Sequence, residues 1–412
     1  MTIVCPLTIQ ADPRALLLAL QPSLDVALLR LQGQPVLTWD AVEEVEVGPG
    51  WQDQLRALLR EEAPPEGLPF AGGVIGHLSY EAGRYCERMP PGKGRSVSGD
   101  GLFRRYPGAL IQTPEGWVAA GQPSWVHQAL ARIDALPALP AAGAPCAHLS
   151  IAPPDADFAA GVQEILARIA AGECYQVNLA RALVFESPLS PAALFARLPF
   201  AAHGAFLRLR DSVLMSESPE LFWSLEKGRV QTRPIKGTAA LGNAAALLAD
   251  PKEKAELTMI VDLMRNDLGR VCEPGSVQAQ GRTVLELRTL LHAEQSVTGT
   301  LRAGVDAVDL MDATFPPGSV TGAPKVQAMA LIHELEPVPR GAYTGAIGAF
   351  VDGGDAEFSV AIRVAQWRAQ RLTVHLGCGI VADSDPARET QETWLKARAW
   401  MGALGLSEGA EA

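Results

Sequence analysis

Residues 221–235, LFWSLEKGRVQTRPI, contain two apolar, strand-like runs on either side of Lys227-Gly228. Similar stretches follow at GAIGAFVDG (345–353), EFSVAIRVAQW (357–367) and RLTVHLGCGIVA (371–382). Turn residues join most of these runs, as in the hairpins of antiparallel sheets. Long helical segments lie between them. The pattern predicts an α+β fold, a sandwich with antiparallel sheets.

Three segments have the spacing and end signals of long helices. Asp157 precedes FAAGVQEILARIAAGE, in which apolar residues recur at helical spacing, so we expect a helix behind a capping aspartate. The stretch 253–269, EKAELTMIVDLMRNDLG, predicts a second helix that ends near Gly269. Asp385-Pro386 opens the third, which continues through ARETQETWLKARAWMGAL.

The chain divides at a segment with few charges. Residues 1–135 alternate short apolar runs with turns, and we expect them to form the N-terminal region of the sandwich. Residues 136–154 are rich in alanine and proline and predict a crossover linker. Residues 155–412 carry the long helices, the strand-like stretches and most of the motifs described below, and because of those motifs we expect them to form the catalytic region.

Composition limits the class of protein. The 412 residues are 48% hydrophobic, which suffices for a sizeable core, and the net charge of −11 argues against nucleic acid as the main partner. No run of about 18 apolar residues predicts a membrane span, and the N-terminal residues lack the features of a secretion signal. The six cysteines are scattered and form no CxxC pair. We expect a soluble cytoplasmic protein without a membrane partner.

The hexapeptide RPIKGT (233–238) is a candidate catalytic motif. Lys236 follows a strand end, and Gly237 allows a tight turn or close approach to a ligand. If the lysine is desolvated, its pKa falls below the usual 10.4 or so, and the neutral amine becomes a nucleophile. The alternative is a surface turn with a solvated lysine.

Two glutamates of the predicted helices are candidate metal ligands. Glu256 belongs to the second helix and Glu392 to the third, in which Glu389, Glu392 and Lys396 share one face. Carboxylates from separate helices suit a magnesium ion that also binds water and an anion. The alternative is that each is an ordinary solvated helix residue.

Two glycine-rich segments resemble nucleotide-binding motifs only superficially. GCGIVA (377–382) fits GxGxxA after a strand, but no helix opens at its glycines. GSVTGAPK (318–325) has Ala323 where a P-loop needs glycine, and Val326 where it needs serine or threonine. Neither predicts a nucleotide site.

A longer series of motifs resembles the chorismate-utilising enzymes. In family order these are CYQVNLAR (174–181), SESPELF (216–222), RPIKGT (233–238), AELTMIVDLMRNDLGRVCEPGSV (255–277), FPPGSVTGAPKVQAM (315–329), ELEP (334–337), AIRV (361–364), GCGIVADSDP (377–386) and QETWLKARA (391–399). GHLSYEAGRYCER (76–88) extends the resemblance into the N-terminal region. The resemblance implies one large two-layered α/β sandwich with the active site between its layers.

Two positions distinguish the branches of this family. Lys236 stands where anthranilate synthases have alanine in PIAGT, and it matches the PIKGT of lysine-type aminodeoxychorismate synthases. Gln176 stands where isochorismate and salicylate synthases have a water-activating lysine. The resemblance therefore implies amination of chorismate at C4 through a covalent bond to Lys236. The alternatives are an anthranilate synthase component I and a non-catalytic chorismate-binding protein.

The resemblance also implies roles for individual residues. Glu220 of SPE corresponds to the general acid/base at the leaving hydroxyl, and Glu256 and Glu392 correspond to the ligands of a Mg²⁺ cofactor. His292 matches a family histidine, although HAEQ replaces the usual HLVS-type surroundings. The implied substrate-binding residues are Gly237, Thr238, Thr321, Tyr343, Arg363, Gly377, Cys378, Gly379 and Lys396.

The resemblance further implies partners. These synthases pair with a separate glutamine amidotransferase subunit that delivers ammonia, and an aminodeoxychorismate lyase acts on the product. The anthranilate synthase inhibitor motif LLES is replaced by LLRL (28–31), with Arg30 at the acidic position. Tryptophan binding is therefore not expected.

Overall fold

The computed structural model describes residues 2–20, 25–90, 93–94, 96–136, 147–286 and 290–406. Two short 3₁₀ turns occur at Tyr80–Tyr85 and Gly318–Val320. The α-helices of this part of the chain are α1 (Pro13–Leu20), α2 (Trp51–Leu58), α3 (Pro123–Asp134), α4 (Asp155–Ala170), α5 (Pro191–Phe195), α6 (Ala244–Ala249), α7 (Pro251–Gly269), α8 (Ala307–Thr314), α9 (Lys325–Leu335) and α10 (Pro386–Leu404).

Strands make up most of the remaining structure. In chain order they are β1 (Ile3–Pro6), β2 (Val26–Leu31), β3 (Gln34–Trp39), β4 (Glu43–Glu46), β5 (Gly73–Leu78), β6 (Gly101–Tyr106), β7 (Gly108–Thr113), β8 (Gly116–Gly121), β9 (His148–Ile151), β10 (Gln176–Glu186), β11 (His203–Arg208), β12 (Val213–Ser218), β13 (Leu221–Glu226), β14 (Arg229–Arg233), β15 (Ile235–Ala240), β16 (Gln278–Ala279), β17 (Thr283–Glu286), β18 (Leu290–Glu294), β19 (Val297–Thr300), β20 (Gly322–Ala323), β21 (Ala346–Val351), β22 (Ala356–Val360), β23 (Val364–Arg368) and β24 (Arg371–Ile380).

These strands form two large sheets and one small one. The first sheet has the order β1-β8-β7-β3-β2-β11-β12-β23-β24-β10-β20, with β9 also paired to β10. The second has the order β16-β19-β14-β13-β22-β21-β5-β6-β4, and the third is β15-β18-β17. Neighbouring strands of the larger sheets run antiparallel, for example along the ten paired positions of β10 and β24. The predicted α+β fold with antiparallel sheets is confirmed.

The two large sheets pack face to face. A buried cluster between them combines Leu29 and Leu214 of the first sheet with Ile75 and Ile347 of the second. Such side chains are apolar and close-packed, and each contributes about 1.5–3 kcal/mol through removal from water. The arrangement is a sandwich whose inner faces exclude solvent.

Helices cover the outer faces of this sandwich. Leu17 of α1 and Trp400 of α10 pack on the outer face of the first sheet. Trp51 of α2 and Ile260 of α7 pack on that of the second. Helices α4 and α9 cover the ends of β10 and β24 in a further cluster. Residues of the candidate site lie at the ends of β10, β24 and β15.

Helix boundaries follow the sequence signals at α7 and α10. Helix α7 ends at Gly269, as predicted. At α10 the Asp385 side chain accepts a hydrogen bond from the Arg388 amide at 2.9 Å, and Pro386 occupies the first turn. Helix α4 differs, since it begins at Asp155 and places Asp157 inside its first turn. The capping role predicted for Asp157 is wrong because the helix begins earlier.

The N-terminal region contributes strands to both large sheets, so it is interleaved with the rest of the chain. Of the predicted linker 136–154, residues 137–146 lie outside the described residues, and β9 lies within the remainder. The described cysteines form no disulfide bond with one another, and Cys174, Cys272 and Cys378 are buried. No helix in the described ranges is both long and apolar enough to span a membrane.

Candidate active site

The lysine of the RPIKGT motif lies on β15 and projects towards the end of β24. β15 pairs with β18, with Lys236 opposite Ala293, and the register shifts just after this pair. Gly237 follows with a φ of 68°, which favours glycine. A Cβ atom on Gly379 of β24 would stand 3.5 Å from Lys236 Nζ. The absence of a side chain at Gly379 leaves space at the amine.

The surroundings of Lys236 favour the neutral amine. Burial lowers its pKa below the ordinary 10.5, while the negative charges of Glu220 and Glu256 oppose this shift. The positive charge of Lys396 lowers the pKa further. Because a lysine nucleophile must be deprotonated, this environment is suited to covalent chemistry.

Glu220 supplies a carboxyl group close to that amine. It lies between β12 and β13, is 3% exposed, and accepts a 2.7 Å hydrogen bond from Ser319 Oγ. Burial raises the pKa of Glu220 to about 7, although the Ser319 hydrogen bond and the charge of Lys236 oppose the shift. A carboxyl with this pKa can both donate and accept a proton near neutral pH.

His292 lies on β18, beside the turn after Lys236. Its Nδ1–H donates to the Gly237 carbonyl oxygen at 2.8 Å. A carbonyl can only accept, so Nδ1 carries the proton and Nε2 is the acceptor nitrogen of a neutral ring. Burial lowers the pKa of His292, and the charges of Arg363 and Lys396 lower it further. The imidazole is therefore neutral at physiological pH.

The glycine-rich end of β24 faces Tyr343. A Cβ on Gly377 would stand 2.7 Å from Tyr343 Oη and 2.5 Å from the Leu179 carbonyl oxygen. The Asn178 amide of β10 donates to Tyr343 Oη at 3.5 Å. The Tyr343 hydroxyl thus lies directly over the strand backbone at Gly377.

Two cations lie close to this row of residues. Lys396 of α10 donates to the Gly377 carbonyl at 2.8 Å and forms a 2.7 Å ion pair with Glu392. Burial opposes its charge, but Cys378, Glu392 and Tyr343 outweigh burial and raise its pKa. Arg363, between β22 and β23, has a φ of 48°. Burial lowers the pKa of Arg363, and its backbone oxygen accepts from the Glu217 amide at 3.0 Å.

The carboxylates proposed as metal ligands lie on two helices. Glu256 of α7 is partly buried and acts electrostatically on Lys236. On α10, Glu392 is exposed, and one ligand atom each from Cys378, Glu389 and Glu392 lie within 4.8 Å of one another. Mg²⁺ prefers carboxylate oxygens, so the glutamates fit this ion and the Cys378 thiol does not. Glu256 is not part of that compact group.

Three further residues were predicted to bind the substrate: Thr321, Thr238 and Cys378. Thr321 is buried, and its hydroxyl donates to the Pro317 carbonyl at 3.1 Å, within the loop that also carries Ser319. Thr238 is on β15, but its side chain lies outside the described part of the structure. Cys378 faces away from Gly377 and Gly379 and packs in the cluster beneath α4.

Three residues near the site were not among the predicted site residues. Gln176 is fully buried, neither of its side-chain polar atoms has a hydrogen-bond partner among described residues, and a Cβ on Gly379 would stand 2.9 Å from its Nε2. Ser319 binds Glu220, and Glu389 accepts from Ser384 Oγ at 2.7 Å. Gln176 and Ser319 belong to motifs already quoted, so the signal was present in the sequence.

With this geometry in place, the family can be assigned. A family model for chorismate binding enzymes matches residues 35–402. The chain belongs to the chorismate-binding enzyme family. Two relatives from different branches of this family are similar to the chain in sequence. Aminodeoxychorismate synthase component 1 of Salmonella typhimurium is 38% identical over 365 residues, 84% of this chain and 79% of that protein. Anthranilate synthase component 1 of Streptomyces coelicolor is 36% identical over 401 residues, 86% of this chain and 77% of that protein.

Solved structures of chorismate-binding enzymes have the same architecture. Anthranilate synthase component I from Streptococcus pneumoniae superposes with a TM-score of 0.79 at 28% identity, covering 89% of this chain and 92% of that one. The menaquinone-specific isochorismate synthase of Escherichia coli shares the fold, with a TM-score of 0.77 at 21% identity over 98% of this chain and 94% of that one. The chain is a chorismate-utilising enzyme by family, and its similarity to the two amino-synthases is nearly equal.

Proposed function

We propose that this chain is an aminodeoxychorismate synthase component I, which converts chorismate and ammonia to 4-amino-4-deoxychorismate and water. The observation that carries the proposal is the position of Lys236, whose Nζ approaches Gly379 and whose pKa is lowered by burial. A solvated surface lysine would have neither property. The product leads to 4-aminobenzoate and folate.

In the first step, the neutral Lys236 amine bonds to C2 of the chorismate ring. The ring double bonds shift, and the bond between C4 and its hydroxyl oxygen breaks. Glu220 gives its proton to that oxygen, so water leaves and Glu220 becomes a carboxylate. The pKa of about 7 supports this role, because a large fraction of the group is protonated at neutral pH.

In the second step, ammonia bonds to C4 and the double bonds shift back. The bond between C2 and the lysine nitrogen breaks, and Lys236 leaves as a neutral amine. The new C4 substituent carries the positive charge as an ammonium group. The Glu220 carboxylate takes one proton from this ammonium group, which gives the neutral 4-amino product and restores the Glu220 acid, so atoms and charges balance over the cycle.

Other residues bind and orient the substrate in this proposal. Lys396, Arg363 and Tyr343 supply donors for its carboxylates, together with the backbone amides of Gly377 and Gly379. The further predicted substrate contacts are Gly237, Thr238, Thr321 and the backbone amide of Cys378. His292 is assigned a catalytic role as a neutral hydrogen-bond acceptor beside the reacting ring.

Glu256 and Glu392 would hold Mg²⁺, which when bound offsets the negative charge of the dianionic substrate. We place the enzyme in the cytoplasm, as a heterodimer with a glutamine amidotransferase subunit and upstream of an aminodeoxychorismate lyase. The relatives are named component 1, which supports a second component as ammonia source.

Anthranilate synthase component I is the second candidate. Its support is the Streptomyces relative and the Streptococcus structure. In that reaction ammonia itself adds at C2, so no lysine nucleophile is required. The two candidates therefore predict different products and different consequences of removing Lys236.

Product analysis with a lysine variant distinguishes them. The purified chain is incubated with chorismate, Mg²⁺ and an ammonium salt, and the mixture is treated with aminodeoxychorismate lyase. Formation of 4-aminobenzoate that is lost in Lys236→Ala and kept in Lys254→Ala supports the proposal. Lys254 is a matched control because it is exposed on α7. Anthranilate formation, or unchanged chorismate, would reject it.

A further inference from the structure

The face of β24 that carries Gly377 and Gly379 also carries His375, because alternate residues of a strand point to the same side. The His375 ring is stacked on the ring of Tyr343, with centroids 5.8 Å apart and planes inclined by 16°. Tyr343 Oη lies over Gly377. The tyrosine therefore extends along the strand, with His375 against its ring and Gly377 against its hydroxyl.

Arg340 provides a second fixed contact to the Tyr343 ring, at 5.6 Å from its centroid. The guanidinium is held by a two-point ion pair to Glu336 at 2.6 and 2.8 Å. It also donates to Thr344 Oγ1 at 2.9 Å and to the Asn178 carbonyl at 2.5 Å. Because this network is buried, Arg340 has little freedom to move.

The imidazole of His375 that stacks on Tyr343 is uncharged. Burial, together with the positive charge of Arg340, lowers the pKa of His375 to about 3. Neither ring nitrogen makes a hydrogen bond of normal geometry within the described residues. The Pro339 carbonyl, which favours a proton slightly, does not outweigh burial. Among the described aromatic rings, Tyr343 is the one that stacks on His375.

We propose that His375 is a positioning residue for chorismate, which acts by stacking on Tyr343 and holding its hydroxyl over Gly377. A tyrosine held in this way loses little side-chain entropy when a substrate carboxylate binds it. If the full free energy of a stacked aromatic pair is used to hold the hydroxyl in place, its loss weakens binding about three- to tenfold. The inference rests on chorismate as the substrate but not on which amino product forms.

Two substitutions separate stacking from other roles. His375→Phe keeps a flat ring and removes the nitrogens, whereas His375→Leu has a similar volume but no planar ring. We expect KM for chorismate within about twofold of wild type in His375→Phe, and a rise of about three- to tenfold in His375→Leu with a smaller change in kcat. The rate is followed as loss of chorismate, so the readout is independent of product identity.

Combination with Tyr343→Phe tests whether the effect passes through the tyrosine hydroxyl. In the Tyr343→Phe background, His375→Leu should add less than a twofold change in KM, because the group it positions is gone. Far-UV circular dichroism and thermal melting check the fold of each variant. If His375→Leu does not fold, His375→Gln replaces it as the ringless variant.

Three results would overturn the proposal. These are an unchanged KM in the folded ringless variant, an equal rise in His375→Phe, or additive effects in the double variant. If anthranilate is formed, the proposed function fails but this test is unaffected, since chorismate loss is still measured.

Discussion

Lys236 Nζ lies 3.5 Å from the point at which a Cβ atom on Gly379 would stand. The same Cβ would be 2.9 Å from Gln176 Nε2, closer than real Cβ atoms come to a neighbour. The space beside the amine therefore depends on glycine at this position. In this proposal the amine must reach the substrate ring through that space.

Gly379→Ala should accordingly lower kcat/KM for chorismate at least tenfold while the protein remains folded, because the added methyl group displaces the Gln176 amide and fills the space beside Lys236. Gly402→Ala is the matched control, since Gly402 is exposed on α10 and has open space around its Cα. That control should keep its activity and gain up to about 1 kcal/mol of stability. Equal activity of the two variants, measured by chorismate loss, would contradict this account.

The raised pKa of Glu220 predicts a pH dependence of stability. Its folded-state pKa is about 7 against an ordinary 4.5, so the native state binds the extra proton between these values. The resulting stability is fully present below about pH 4.5 and is lost as the pH rises through 7. Glu220→Gln removes this dependence. Its unfolding free energy relative to wild type should rise by on the order of 3 kcal/mol between pH 4 and pH 8.

The pH dependence of activity should also reflect the ionisation of Glu220. Chorismate turnover is expected to fall above about pH 7, where Glu220 loses the proton it must donate. Ser319→Ala should move this alkaline limb to higher pH, because the Ser319 hydrogen bond holds the pKa down. Glu226→Gln, an exposed substitution on β13, serves as the control for charge alone. A pH profile unmoved by Ser319→Ala would be evidence against Glu220 as the acid.

Magnesium dependence tests the two glutamates. Glu256→Gln or Glu392→Gln should abolish turnover at ordinary Mg²⁺ concentrations with little change in melting temperature, because the exposed ion pair of Glu392 contributes little stability. Titration calorimetry should show weakened Mg²⁺ binding in both variants. Asp262→Asn, on an exposed part of α7, should leave binding intact. Full wild-type activity in excess chelator would refute the assignment.

The source of ammonia gives a prediction about the partner. Ammonium dominates over ammonia near neutral pH, so the chain alone should use ammonium salts better as the pH rises, within the range in which Glu220 is protonated. It should not use glutamine. Adding a glutamine amidotransferase subunit should confer glutamine-dependent synthesis at neutral pH through an interface of about 1,600 Å². Robust glutamine use by the purified chain would exclude the two-subunit proposal.

Much of this architecture could be predicted from local sequence signals. The ends of α7 and α10 follow from Gly269 and from Asp385-Pro386, because caps and helix stops are local. The start of α4 was misplaced because Asp155 and Asp157 are both suitable acidic residues for a first turn.

The site was harder to predict because it depends on contacts between distant segments. Gln176 and Gly379 are far apart in sequence but adjacent through the pairing of β10 with β24. Burial raises the pKa of Glu220, and Ser319, whose hydrogen bond opposes that shift, lies 99 residues further along the chain. Neither the spacing of the motifs nor their composition could show the distances between these groups.

The central claim, a covalent bond between Lys236 and the substrate, can be measured directly by intact mass. The enzyme is incubated with chorismate and Mg²⁺ in the absence of ammonia, then denatured and analysed. We expect a gain equal to the mass of chorismate less one water, located on Lys236 by peptide mapping, absent in Lys236→Ala and slow to form in Glu220→Ala. Loss of the adduct on adding ammonium, with release of the 4-amino product, would complete the cycle. A Lys236→Ala enzyme that forms the 4-amino product at the wild-type rate would contradict the account.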